Sequence, residues 1–373
     1  MVTHHLTHFD DAEKMNDVAT RSVHLVVTSP PYPMIEMWDP LFCRQAATRE
    51  AMDNQAGMRA FELMHRQLDR VWEELYRVLV PGGIACINIG DATRTMGGQF
   101  SIYPNHSRIL SRMLDLGFSN LPNILWRKQT NAPNKFMGSG MMPPGAYVTL
   151  EHEHILIFRK GGKRLFNTRA EKANRRQSAY FWEERNQWFS DVWMDLKGTR
   201  QKTGDRQLRQ RSGAFPFELP YRLISMFSVM GDTVLDPFLG TGTTLFAAAT
   251  AGRNSVGYET DDAFRPLIEE QCKGAIEQGR QRIGQRFENH RQFIGDRETA
   301  GKAVKHINRV YGFPVITRQE SELMIPLPAT VEQTQPGRFS VTYDRPEVPA
   351  GGQPASVPKA SPSEPTGQLP LFD

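Results

Sequence analysis

The chain has 373 residues, of which 39% are hydrophobic and 23% charged, and a formal net charge of +4. That length suits one large domain or two smaller ones, and no apolar run of about 18 residues offers a membrane span. Three scattered cysteines, Cys43, Cys86 and Cys272, exclude a disulfide framework and fit a reducing cytoplasm.

The opening stretch "MVTHHLTHFDDAEKMND" lacks the apolar core of a signal peptide and reads as a mobile terminus. "VHLVVT" (Val23 to Thr28) is a short apolar run ending at a turn, the pattern of a buried parallel strand. "AFELMHRQLDRVWEELYRVL" places Phe61, Leu68, Val71, Leu75 and Val78 at helical spacing, and Pro81 to Gly83 stop that helix before the strand "IACINIG". A second helix over "NHSRILSRMLDLG" precedes the strands "NILWRK" and "EHEHILIFRKG", read as an antiparallel pair at a sheet edge. Leu219 to Met230 is helical again, then "GDTVLDPF" reads as strand, "GTGTT" as turn, "LFAAATAGR" as helix and "NSVGYET" as strand. Strands alternating with helices predict a doubly wound α/β fold with a mostly parallel sheet. Asp262 to about Val310 reads as a charged helix, and the Pro-, Gly- and Ser-rich chain after Met324 reads as disordered.

Charge is unevenly spread. Lys160 to Arg211 carries fourteen Lys/Arg against six Asp/Glu, the profile of a polyanion-binding segment on a slightly acidic body. No metal is expected: nothing pairs with His4, His5 and His8, and Glu151, His152, Glu153 and His154 alternate along a strand, so they cannot all face one ion.

"VLDPFLGTGTT" (Val234 to Thr244) sets a strand, a carboxylate and a small-residue turn before a helix. Gly240 and Gly242 let backbone approach a ligand at the helix N-terminus. The stretch has neither the Gly-Lys-Ser/Thr ending of a phosphate loop nor the full dinucleotide fingerprint. Glu259 ends the next strand, placed to accept from both hydroxyls of a ribose, while Asp236 could hold a cationic or amino group of the same ligand. The pair suits a nucleoside without pyrophosphate, such as S-adenosylmethionine.

"TSPPY" (Thr28 to Tyr32), "DPFLGTGTT" and "VGYE" together make the chain resemble the amino-group DNA methyltransferases of the β-type, in which the catalytic motif precedes the cofactor motif. The resemblance covers about Asp17 to Glu270. It implies a Rossmann-like, circularly permuted methyltransferase fold with a small DNA-recognition insertion. It also implies S-adenosyl-L-methionine as cofactor and double-stranded DNA as substrate. A cognate restriction endonuclease acting separately, and pairing into a homodimer, belong to the same expectation, as does a cytoplasmic location with no membrane.

In chemical terms, an exocyclic amine is a poor nucleophile because its lone pair is drawn into the base. The Ser29 hydroxyl and the Pro30 carbonyl can accept its two N–H bonds and free that pair, Pro30 and Pro31 hold the turn rigid, and Tyr32 offers a ring to an extruded base. Ser in the first position points to cytosine N4 and leaves adenine N6 open. Carbon-5 methylation needs a thiolate, and no Pro-Cys dipeptide is present. Cofactor contacts are assigned to Asp236, Pro237, Phe238, Gly240, Gly242, Thr243 and Glu259, with Phe238 on the adenine side by family implication. DNA contacts are assigned to Arg175, Arg176, Arg185, Arg200, Lys202, Arg206 and Arg209. The chain then divides into a catalytic half (1–159), a basic target-recognition segment (160–212), a cofactor-binding half (213–310) and a Pro-rich, largely disordered tail (311–373).

Overall fold

A computed structural model of the chain describes residues 1–128, 137–197 and 215–344. Its main sheet has ten strands: β1 (Val2–His8), β2 (Val23–Thr28), β3 (Leu79–Ile89), β4 (Phe118–Arg127), β5 (His152–Lys160), β6 (Val192–Trp193), β7 (Thr233–Asp236), β8 (Asn254–Tyr258), β9 (Leu327–Gln335) and β10 (Arg338–Asp344). They lie in the order β6-β4-β5-β3-β2-β7-β8-β1-β10-β9. The run from β3 through β2, β7 and β8 to β1 is parallel. β5 is antiparallel to both β3 and β4, and the β9–β10 hairpin is laid antiparallel on β1.

Two apolar layers explain why the central strands read as unbroken hydrophobic runs. In β2, Val26 points into one layer and Leu25 and Val27 into the other. The first layer is covered by helices α1 (Ala46–Asp53), α2 (Gly57–Val78) and α3 (Asn105–Asp115). In α2 the expected Phe61, Leu68, Val71, Leu75 and Val78 are all buried, joined by Met64 and Trp72. The opposite layer is covered by α6 (Glu218–Phe227) and α7 (Thr243–Thr250). Thus β2 sends its following helix to one face, while its neighbour β7 sends its own to the other. A crevice opens between their C-terminal ends, where open α/β sheets bind ligands.

The structure departs from the sequence reading in five places. Pro81 to Gly83 do not separate helix from strand: β3 already starts at Leu79, and the Pro-Gly-Gly residues are absorbed at a register irregularity opposite Val23–Leu25. The antiparallel β4–β5 pair lies one strand in from the edge, which β6 forms. The N-terminus is an interior strand. β1 sits between β8 and β10, and the buried His5 ring bonds the Thr3 and Ser255 hydroxyls, its pKa lowered to about 3 by desolvation. The charged helix α8 (Arg265–Thr299) ends earlier than expected, and the chain after Met324 is ordered through Asp344. Alternation explains that miss: Phe339 and Val341 of β10 are buried while Ser340 between them and Thr342 beyond are more exposed, a half-buried pattern masked by polar composition. The "PEVPAGGQPASVPKASPSEPTGQLP" stretch lies outside the described residues.

Phe339 packs among Leu239, Leu245, Phe264 and Ile268, so the hairpin supports the glycine turn from beneath. We expect Phe339→Ala to cost about 3 kcal/mol in urea unfolding, the usual loss for a buried phenylalanine. A cost below about 0.5 kcal/mol, typical of a surface site, would mean the hairpin is a dispensable appendage.

Candidate active site

Register brings the two motifs together. Leu25 and Val26 of β2 pair with Val234 and Leu235 of β7, so the Ser29–Tyr32 turn and the Asp236–Gly242 turn leave adjacent parallel strands at the same end. Side chains then clasp them. The Thr28 hydroxyl donates to Asp236 Oδ1 (2.6 Å), the Thr244 hydroxyl donates to Oδ2 (2.6 Å), and the Phe238 N–H donates to Oδ1 (3.1 Å). Asp236 is 2% exposed. Its carboxylate oxygens are therefore occupied from within the fold, and it acts as a buried tie rather than the ligand-holding group expected. Burial raises its pKa to about 6, against the opposing pull of the two hydroxyls and the Phe238 N–H.

On the cofactor side, Gly240 and Gly242 have φ of +53° and +86°, a left-handed backbone that glycine adopts without strain. Gly242 caps α7, Thr243 begins it half-buried, and Pro237 is buried below. Glu259 accepts from the Gly240 N–H through Oε2 (2.9 Å) and from the Asp261 N–H through Oε1 (2.9 Å), pinning the glycine turn to the end of β8. Burial raises its pKa. Phe238 is half-buried, with Trp72 of α2 edge-on at 6.1 Å between ring centroids. All seven residues expected at the cofactor thus lie on or directly beneath one turn.

On the catalytic side, Pro30 and Pro31 are buried and Ser29 and Tyr32 half-buried. The Tyr32 hydroxyl donates to Glu153 Oε2 (3.0 Å) and accepts from Asn88 Nδ2 (2.9 Å); Ser29 Oγ lies 3.1 Å from it. Its ring backs onto Gly90, where a Cβ would stand 3.0 Å from ring carbon Cε2. The turn is clamped from below by Asn105, whose Nδ2 donates to the Pro33 and Gly90 carbonyls (3.1 and 2.9 Å) while its Oδ1 meets His65 Nε2. Desolvation and Glu153 push the Tyr32 pKa well above its ordinary value, so the phenol stays a hydroxyl.

Sequence reasoning missed Thr28, Asn88, Asn105, Glu153 and Thr244 as site residues. Thr28 and Thr244 lay inside the two quoted motifs, and Asn88 gave a signal as a polar residue inside the apolar run "IACINIG". Asn88 is 2% exposed, and Glu153 also receives the Lys128 ammonium.

The expected DNA contacts separate. Arg175 and Arg176 ride on helix α4 (Arg169–Gln177), which Asn174 and Ser178 fasten to the backbone of Met230, just before β7 begins. That is the opposite end of the sheet from the two turns. There Arg175 stacks on Phe166 and Arg176 pairs with Glu322. Arg185 is exposed on helix α5 (Trp182–Trp188), over the Phe189 ring. The structure therefore does not bring Arg175 and Arg176 to the site. Arg200, Lys202, Arg206 and Arg209 lie outside the described residues.

Asp91, His106 and His154 cluster beside Glu153. The two imidazoles stack at 4.0 Å with planes 16° apart, and His106 Nδ1 is already bonded to Asp91 (2.7 Å). Lone pairs in near-parallel planes do not converge on an ion about 2 Å from each nitrogen, so this geometry is a hydrogen-bonded stack and not a coordination site.

Comparison with known proteins agrees with this geometry. A family model described as DNA methylase matches residues 23–270. The Type II methyltransferase M.MthZI of Methanothermobacter thermautotrophicus is 51% identical over 345 residues, covering 92% of this chain and 96% of that protein. M.MjaI of Methanocaldococcus jannaschii, another Type II methyltransferase, is 51% identical over 299 residues, covering 77% and 96%. Among solved structures, a Thermus thermophilus protein assigned as a DNA modification methylase, complexed with S-adenosyl-L-methionine, is similar. It shows 35% identity and a TM-score of 0.55, over 72% of this chain and 94% of that one.

The buried tie gives a pH test. The folded Asp236 carboxyl, with a pKa near 6, binds its proton more tightly than the unfolded one, near 4. The stability it contributes is present below the unfolded value and lost as pH rises through about 6. Relative to Asp236→Asn, the wild type should therefore lose on the order of 3 kcal/mol between pH 4 and 7 in urea titrations; a difference independent of pH would contradict the buried, proton-binding carboxyl. With two motif turns clasped at one crevice and a family match across most of the sheet, the chain belongs to the DNA methylase family of N4 and N6 amino-methyltransferases and draws its methyl group from S-adenosyl-L-methionine.

Proposed function

We propose that this enzyme methylates the exocyclic N4 of cytosine in duplex DNA, extruding the base and transferring the methyl group by direct displacement. The observation that carries this reading is the uncharged Ser29 hydroxyl at the head of the catalytic turn. Tyr32 has committed its only proton to Glu153, so Ser29 donates to Tyr32 and keeps its lone pairs for an incoming amine. Ser29 Oγ and the Pro30 carbonyl are then the two acceptors that draw the amine nitrogen toward sp³ geometry, and the Tyr32 ring is the surface for the base. Family habit associates serine here with cytosine and aspartate with adenine.

When bound, S-adenosyl-L-methionine supplies the electrophilic methyl. Phe238 and the glycine turn would hold its nucleoside part and Glu259 its ribose, and the shared end of β2 and β7 would align donor and amine. Two relatives that the chain matches at 51% identity are Type II methyltransferases, which supports a role as the modification partner of a separately acting restriction endonuclease. For duplex readout we favour Arg200, Lys202, Arg206 and Arg209. They follow Leu196, whose carbonyl accepts from Trp126 Nε1 near the C-terminal end of β4, on the catalytic side of the sheet.

Labelled cofactor should transfer its methyl to unmodified duplex DNA, and Ser29→Ala should lower the single-turnover rate about 100-fold or more, the scale for losing one preorganised transition-state contact. Cofactor affinity by calorimetry should stay unchanged. Mass spectrometry of the digested product should give N4-methylcytosine. N6-methyladenine would overturn the choice of base, and no transfer to any duplex would overturn the reading itself.

A further inference from the structure

Methyl transfer to an exocyclic amine leaves a proton to remove, and the catalytic turn is wired to a carboxylate three groups away. Ser29 Oγ lies 3.1 Å from Tyr32 Oη, and Tyr32 Oη donates to Glu153 Oε2 at 3.0 Å. Asn88 Nδ2 bridges the same atoms, donating to Tyr32 Oη (2.9 Å) and Glu153 Oε2 (2.6 Å), which fixes their spacing. The other Glu153 oxygen accepts from Lys128, and the carboxylate side chain keeps 13% of its surface exposed. The chain Ser29–Tyr32–Glu153 thus runs from the amine site to the edge of solvent through two hydroxyls, each able to donate and accept.

We propose that Ser29, Tyr32 and Glu153 form the proton exit of the reaction, with Glu153 as terminal acceptor. This rests on the reading of the site as an amino-methyltransferase. As the amine lone pair forms its bond to the methyl carbon, the carbon–sulfur bond breaks and the sulfonium becomes a neutral thioether. The nitrogen now carries one proton too many. That proton passes to Ser29 Oγ as the serine proton passes to Tyr32 Oη and the phenol proton to Glu153. The products are a neutral methylamino base and a protonated Glu153, which resets by releasing its proton to water. Tyr32 is never an anion in this exchange, which suits a phenol whose ionisation the fold opposes. Glu153 is a positioning residue in this scheme, acting through Tyr32 and Ser29. Among the described residues, the charged and titratable groups beside it are Lys128 just past the end of β4, Tyr32 from the turn and His154 on its own strand.

Single-turnover methylation of duplex DNA with labelled S-adenosyl-L-methionine, followed across pH, tests the relay in the full-length protein. Glu153→Gln should slow transfer by about 100-fold, the lower end for general acid–base catalysis, with cofactor affinity by calorimetry unchanged. The acid limb of the wild-type profile should vanish, leaving a residual rate that climbs with hydroxide. Tyr32→Phe keeps the ring but cuts the wire, and should show the same loss of the acid limb. The relay is overturned if Glu153→Gln keeps the wild-type rate, if its acid limb survives, or if cofactor affinity falls along with the rate. An active wild type with an unaffected Glu153→Gln sinks the relay alone; a wild type that methylates no duplex sinks the amino-methyltransferase reading and the relay with it.

Discussion

One carboxylate joins the two halves of the chemistry. Asp236 accepts from Thr28 at the end of the strand that carries the catalytic turn, and from Thr244 in the helix that follows the cofactor turn. Burying a carboxylate is costly unless hydrogen bonds compensate it, and here three donors converge on it. The compensation is also geometric. Any shift of β2 against β7 breaks a buried bond, so the distance between methyl donor and acceptor is set by the interior of the sheet and not by mobile loops.

Around that tie the fold builds outward. Helices leaving opposite faces of the sheet open the crevice, and Phe339 of the C-terminal hairpin packs on Leu239 of the cofactor turn. The catalytic turn is supported from three further elements: Asn88 on β3, Asn105 at the start of α3 and Glu153 on β5. A rigid proline turn on such a base suits a reaction that depends on aligning two groups more than on activating an enzymic nucleophile. The bound base would meet acceptors that are already oriented.

Much of this was legible in the residues. The apolar runs that became β2, β3, β7 and β8 announced a parallel sheet because both of their faces are covered, and the periodicity of α2 named its buried side chains correctly. The glycine turn was readable because its left-handed backbone demands the residue type. What stayed hidden was long-range. Nothing in sequence shows that Glu153 reaches Tyr32 across 121 positions, or that Asp236 is consumed by threonines on either side of the crevice. Arg175 and Arg176 looked like DNA contacts because composition reports charge without direction; only the attachment of α4 to Met230 reveals which end of the sheet they occupy. The polar β9–β10 hairpin was missed because a half-buried strand needs only every second residue to be apolar, and the N-terminal strand because its buried positions, Thr3, His5 and Thr7, are themselves polar.

The central claim is that one crevice holds the methyl donor and the extruded base face to face. A crystal structure of the full chain with a cofactor analogue and a duplex substrate tests it most directly. The account predicts the base amine on Ser29 Oγ and the Pro30 carbonyl, with the donor atom of the analogue about 3 to 3.5 Å from the amine nitrogen and in line for displacement. An analogue seated away from the Gly240 turn, or a base that reaches Ser29 with no donor within such a distance, would contradict it.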